Sequence, residues 1–342
     1  MAIRVVHWGT GTAGTRALRC ILNNPALELV GLYVARPERA GRDAGSFVDL
    51  PDCGIKATND LAELLAIEAD CLCYMGGIAK GGVDDFLPFL RAGRNVVTAF
   101  FFPDEALGPV REACLAGNSS FFIGGSSPGF ATDFFPMAVL GIVSEIKSIR
   151  TQELADYSVY PVAPMARLWG FGAEPGTKIP IADTLESVWQ EMPRALARRL
   201  GVEIEEMRGV VDTSLASRDI DAAFYTIRKG TVANVRFQVQ GLVKGEPFVT
   251  LEHVNYCELE TIPEDWPRPG VLQTGLAYRT VVEGWPNITA EIALDFPIAA
   301  MRVANAIPAI VQAPAGVVEG FDVPPLNGGK ITRSAGWSNS PK

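Results

Sequence analysis

The sequence predicts an α/β fold: a doubly wound parallel sheet joined to a second α+β domain on an open, mainly antiparallel sheet. Three observations carry this. Short apolar runs alternate with helical patterns over residues 1–145, and a Gly-x-Gly-x-x-Gly run at 9–14 links the first strand to the first helix. From 146 onward the apolar runs lengthen, alternate with polar residues and are joined by short connections such as Lys229-Gly230 and Lys244-Gly245-Glu246. Strand–helix alternation is the pattern of a parallel sheet with crossover helices, and hairpin-linked alternating runs that of an antiparallel one.

The elements follow in order. Ile3–Trp8 is a strand, and the helix after the glycine run carries Ala17, Leu18, Ile21 and Leu22 on one face before Asn23-Asn24-Pro25 ends it. Further strands are expected at 27–34, 69–75, 95–99 and 120–124, with helices at 61–67, 83–92 and 107–116 between them. Residues 1–145 thus form a dinucleotide-binding domain. In the substrate and dimerisation domain, 146–297, strands are expected at 147–155, 222–228, 232–243, 248–260 and 287–296, with a helix at 185–200. A C-terminal segment, 298–327, returns a helix (298–311) to the first domain, and 328–342 is a mobile tail.

Composition excludes several classes. The 342 residues hold 48% apolar and 20% charged residues, too apolar for a disordered chain. Thirty basic against 39 acidic residues give a net charge of −9, which argues against a nucleic-acid partner. Mean hydropathy is +0.17, yet the longest apolar stretch, 298–318, is broken by Arg302, Asn305, Pro308, Gln312 and Pro314, so no membrane span is expected. Six scattered cysteines without a CxxC pair, two histidines and an N-terminus without a signal-peptide pattern point to a cytoplasmic protein with no metal site.

In the run Gly9-Thr10-Gly11-Thr12-Ala13-Gly14 the first glycine serves the tight turn, the second admits a pyrophosphate, and the third lets helix and strand pack closely. At the end of the second strand an NAD enzyme carries Asp or Glu, whereas here Val34-Ala35 leads to Arg36, with Arg39 nearby. A guanidinium matches a 2′-phosphate in charge and donor geometry, so NADP(H) is the preferred cofactor and NAD(H) the alternative. Gly76-Gly77 and the run Gly124 to Gly129, with Ser127 and Pro128, follow later strands, where they would admit the ribose and nicotinamide; Gly76-Gly77 equally suits an ordinary strand-to-helix turn. After the strand at 95–99, Phe100, Phe101 and Phe102 precede Asp104 and Glu105. An apolar surround raises a carboxyl pKa toward the range of proton transfer, and the same two acids also suit a helix N-terminus.

Gly-Thr-Gly-Thr-Ala-Gly, the strand Leu-Val-Gly-Leu-Tyr-Val, Gly41 to Gly45, Ser127-Pro-Gly-Phe130 and Met301 to Pro308 together resemble the dihydrodipicolinate-reductase-like oxidoreductases. Within them the chain looks most like the actinobacterial branch that includes 2,4-diaminopentanoate dehydrogenase and the native amine dehydrogenases. It lacks the paired-His motif of dihydrodipicolinate reductases, which excludes that activity. The resemblance implies NAD(P)H-dependent reductive amination of a small ketone or aldehyde with ammonia, and the reverse deamination. It also implies a catalytic glutamate on the loop after the 95–99 strand; Glu105 is the nearest match, with Asp104 adjacent. Family members often carry Asn where this chain has Ser127.

Phe130 and Phe134 from the first domain, Tyr157, Tyr160 and Trp169 from the second, together with Phe102 and Asn305, are the candidate pocket residues. Tyr, Trp and Phe at such spacings equally suit plain core. His7 reads as a packed core histidine, and His253 as a surface or interface residue with proton donation as the alternative. A ketone or imine reductase without ammonia chemistry and a non-catalytic NADPH sensor are the competing functions. A homodimer, packed sheet against sheet, is the expected assembly.

Overall fold

A computed structural model of the chain describes residues 1–76, 82–102, 104–183, 189–271, 275–294 and 298–328. The chain divides into two compact units: Met1–Gly125 together with Ile298–Lys342, and Ser126–Pro297.

In the first unit, strands β1 (Ile3–Trp8), β2 (Leu27–Tyr33), β3 (Ala57–Thr58), β4 (Cys71–Tyr74), β5 (Asn95–Thr98) and β6 (Ser120–Ile123) pair in parallel. Helices α1 (Thr12–Asn23), α2 (Leu61–Ala66), α3 (Leu87–Arg91) and α4 (Gly108–Gly117) connect them. Burial on both faces explains the nearly continuous apolar strands. Val5, Cys71, Cys73, Val97 and Phe122 join α1 in one core layer, and Val6, Leu72, Tyr74, Val96 and Phe121 join Phe86 and Phe89 in the other.

The second unit begins at Ser126 rather than at 146, because α5 (Phe134–Leu140) packs on a strand of that unit. Its strands are β7 (Glu145–Asp156), β8 (Glu206–Leu215), β9 (Ile220–Asp221), β10 (Thr226–Ile227), β11 (Val232–Val243), β12 (Glu246–Tyr256), β13 (Leu276–Trp285) and β14 (Ile288–Leu294). Six of them form a sheet in the order β14-β13-β7-β12-β11-β8, antiparallel except for the β7–β12 pair. Helices α6 (Ala163–Trp169) and α7 (Glu191–Arg199) add Ala166, Trp169 and Met192 to a core layer with Phe237, Val239 and Leu251. The strand expected at 222–228 is replaced by the short β9–β10 pair, and β8 and β13 are additional strands.

The chain then returns through α8 (Ala299–Ile310), which packs on α1, β4, β5 and β6, and β15 (Gly316–Val318). The first sheet is thereby completed in the order β15-β6-β5-β4-β1-β2-β3. Its strand order reverses between β1 and β4, the switch point outside which ligands bind in doubly wound sheets. Among the described residues no helix is long and apolar enough to cross a membrane, and no group of three His, Cys, Asp or Glu side chains could hold a metal ion. The expected tail at 328–342 lies, from 329 on, outside the described residues.

Candidate active site

The glycine loop lies at that switch point. Gly9 has φ +106°, and a Cβ there would stand 2.5 Å from the Met75 carbonyl oxygen. A Cβ on Gly14 would stand 2.2 Å from the Gly9 carbonyl oxygen, so only glycine lets α1 start this close to β1. A Cβ on Gly11 would meet nothing within 4 Å. The three positions thus separate cleanly: two glycines serve the chain's own packing, and the middle one faces open space. Gly11 is also the N-cap of α1 and offers no side chain to the helix N–H groups. An uncapped helix start beside open space fits a pyrophosphate held by backbone N–H groups of Thr12, Ala13 and Gly14. His7 braces the loop from below, its Nε2–H donating to the Gly9 carbonyl at 2.8 Å.

The two arginines differ. Arg39 Nη1 donates to the Thr10 carbonyl and to Thr10 Oγ1, both at 3.0 Å, which commits it to the loop. Arg36 is exposed at the N-cap of a short 3₁₀ turn, Pro37–Arg39, three residues beyond β2. Gly76 follows β4, and a Cβ there would stand 2.8 Å from Trp8 Nε1; Gly77 lies outside the described residues. Glu105 is exposed in the 3₁₀ turn Asp104–Leu107 that leads into α4. The side chain of Asp104 lies outside the description. Phe102 is buried, its ring 5.6 Å from Phe86 and 6.3 Å from Phe121, and is accounted for by core packing. Asn305 is half-buried on α8.

Ser127, Pro128, Phe130 and Phe134 belong to the second unit, not to the first as the sequence suggested. The Phe130 ring lies 5.8 Å from Phe134, 5.8 Å from Phe135 and 6.4 Å from Tyr278. The Trp169 ring stacks 5.4 Å from Phe237, which makes it core. Tyr157 and Tyr160 meet edge to face at 5.6 Å and line a cavity of about 160 Å³. Ser126, Glu153, Asp156, Leu276 and Tyr278 also line it.

Strand register builds the polar side of this cavity. Tyr278 on β13, Glu153 on β7, His253 on β12 and Phe237 on β11 are successive cross-strand partners, so one row places all four side chains on one sheet face. His253 is buried, not superficial, and its ring stacks on Phe237 at 4.6 Å. Burial pulls its pKa down to about 3, against a smaller opposing pull from Glu252, so the imidazole is neutral. Nε2 lies 3.1 Å from Ser127 Oγ, and Nδ1 3.7 Å from Glu153 Oε1, too far for a hydrogen bond. Burial pushes Glu153 up to about 7 and raises Tyr278 and Tyr157, each further raised by the Glu153 charge.

The adjoining row, Arg279, Gln152, Glu252 and Gln238, faces the other way. Burial alone would raise the Glu252 pKa, but it falls. Gln152 and Gln238 donate to its carboxylate at 2.6 and 2.8 Å, and Arg150 and Arg236 at 3.2 and 2.6 Å. Glu153 was not singled out in the sequence. Only the flanking of β7 by β12 and β13 puts it in the interior.

A parallel sheet with a glycine loop at its switch point and a second, mixed-sheet unit define a dinucleotide-binding, two-unit architecture. Residues 130–329 match the family model of the 2,4-diaminopentanoate dehydrogenase C-terminal domain. The chain is 33% identical over 357 aligned positions to an amine dehydrogenase of Streptomyces virginiae, covering 94% of this chain and 96% of that one. Its fold resembles that of an amine dehydrogenase from Mycobacterium smegmatis (TM-score 0.72, 17% identity, 96% and 97% of the two chains covered). It also resembles dipicolinate-bound dihydrodipicolinate reductase from Paenisporosarcina sp. TG-14 (TM-score 0.50, 12% identity, 93% and 97% covered). The chain belongs to the 2,4-diaminopentanoate dehydrogenase and amine dehydrogenase family and is an oxidoreductase.

Proposed function

We propose that the protein is an NADP(H)-preferring amine dehydrogenase. It would catalyse reductive amination of small ketones or aldehydes with ammonia, and oxidative deamination in reverse. The observation that carries this is the 33% identity to an amine dehydrogenase over 94% of the chain. NADP(H) over NAD(H) is supported by the exposed Arg36 beyond β2, where a 2′-phosphate would meet a guanidinium instead of a carboxylate.

The glycine loop and the start of α1 would hold the pyrophosphate, and the nicotinamide would supply the hydride when bound. Glu105 would handle protons. As a carboxylate it takes one from ammonium to free the nucleophilic amine, and as the acid it returns one to the carbinolamine hydroxyl, which leaves as water. The resulting iminium ion is stabilised beside the carboxylate. Glu105→Gln is expected to lower turnover by ~10²-fold while leaving NADPH affinity unchanged.

The deciding experiment incubates the enzyme and NADPH with a panel of ketones and aldehydes, with and without ammonia. Carbonyl- and ammonia-dependent NADPH oxidation supports the proposal. Ammonia-independent oxidation identifies a carbonyl reductase, and tight NADPH binding without turnover identifies a sensor. We further propose a homodimer that packs sheet against sheet.

A further inference from the structure

The sheet of the second unit buries two carboxylates on neighbouring rows and treats them oppositely. Glu252 has no exposed side-chain surface and receives two guanidinium groups and two carboxamides. Glu153 has only 15% of its side chain exposed, lines the cavity, and has no Lys or Arg within ion-pair distance among the described residues. A buried carboxylate without a counter-charge costs free energy unless something else neutralises it. Glu252 shows how this sheet pairs a carboxylate that stays in the fold. At Glu153 the corresponding place is open space, walled by Tyr157, Tyr160, Tyr278 and Leu276.

None of the protein groups facing Glu153 supplies the missing cation. His253 from β12 is neutral, and Tyr278 from β13 and Tyr157 beyond β7 are phenols held protonated by burial. Asp156, also at the cavity, accepts the Ser158 backbone N–H at 2.8 Å and adds a second negative group. The volume of about 160 Å³ equals roughly five waters at ~30 Å³ each, which suits a small organic molecule. Aromatic faces beside an anionic group favour a cation that carries an apolar body.

We propose that this cavity binds a small alkylammonium ion, with Glu153 as its ionic partner and the rings of Tyr157 and Tyr160 as its walls. The proton count balances in both forms. A neutral amine takes the proton of a protonated Glu153, giving an ammonium–carboxylate pair; an alkylammonium ion arriving at protonated Glu153 displaces that proton to solvent. The proposal rests on the amine dehydrogenase function only in making this ion the amine substrate or product.

Titration calorimetry with n-butylamine hydrochloride tests it, with 1-butanol as the uncharged control, at neutral pH in two buffers of different ionisation enthalpy. Wild-type protein is expected to bind butylammonium with net proton release and more tightly than 1-butanol, and Glu153→Gln to lose at least ~10-fold in affinity for the ion alone. Equal affinity of wild type and Glu153→Gln, or no preference over 1-butanol, overturns the proposal. Should Glu153→Gln not fold, the wild-type preference decides, and butylammonium binding no tighter than 1-butanol overturns the proposal. Ketone amination with an unchanged amine KM in Glu153→Gln removes this site and leaves the proposed function. Glu153-dependent binding in a protein that turns over no carbonyl leaves the site and removes the function.

Discussion

His7 and His253 are ordinary histidines placed where water cannot reach them. Burial takes His7 down to about 4 and His253 to about 3. A folded-state pKa below the unfolded value contributes stability that is complete above about pH 6.5 and is lost as pH falls through that window. For His7 the drop from 6.5 to about 4 corresponds to about 3 kcal/mol at the acid end. The expected outcome is an unfolding free energy that declines steeply from pH 6.5 to 4, and a shallower decline for His7→Asn, measured by urea titration across pH. Glu153 carries the opposite sign: its raised pKa favours the folded state at low pH and costs stability as pH rises from 4.5 to about 7. In the proposed function, Arg36 is the residue that would separate the two cofactors. Arg36→Ala should raise the NADPH KM by ~10-fold or more and leave that for NADH nearly unchanged, in steady-state assays with each. Equal changes for both would end the 2′-phosphate assignment. Gly14 was legible in the sequence because it answers to the Gly9 carbonyl only five residues away. Glu153 was not, because its setting is made by β12 and β13, about a hundred residues further along the chain.

At the scale of elements, α1 is the part on which the proposed cofactor binding would depend most. The 2.2 Å approach of a Gly14 Cβ to the Gly9 carbonyl means that Gly14→Ala must push α1 away from β1. Overpacking of this kind costs ~1–3 kcal/mol, and the displaced N–H groups no longer converge. The variant is expected to unfold at lower denaturant and to bind NADPH more weakly, as read by urea titration and fluorescence titration. Most of the parallel sheet could be read from sequence, since strands buried on both faces are nearly continuous apolar runs. The second sheet was harder. β8, Glu206–Leu215, has exposed positions all along its edge and interleaves Arg208, Gly209 and Asp212 with Val210 and Val211, so no clean alternation survives. β13, Leu276–Trp285, places Arg279 and Glu283 within a strand that is otherwise largely buried, because Arg279 pairs with Glu291 on β14. The segment 222–228, expected as an alternating strand, forms only the two-residue β10, and it supplies Tyr225, whose hydroxyl donates to the Phe171 carbonyl.

At the scale of the molecule, the −9 charge and the apolar excess described a globular chain without indicating its chemistry. Locally the charge differs: Arg36 and Arg39 form a basic pair beside the glycine loop of the first unit, and the second unit buries the Glu153 carboxylate. The proposed homodimer predicts a light-scattering mass of twice the 36.7 kDa chain at micromolar concentration, and a single-chain mass would exclude it. The central claim is that this family member joins nitrogen to carbon. The most direct measurement supplies isotopically labelled ammonia, NADPH and a ketone that the enzyme consumes, and follows the product by mass spectrometry. An amine carrying the label, formed in equal amount to the NADPH oxidised, is the expected product; an unlabelled alcohol as the reduced product would contradict amine formation.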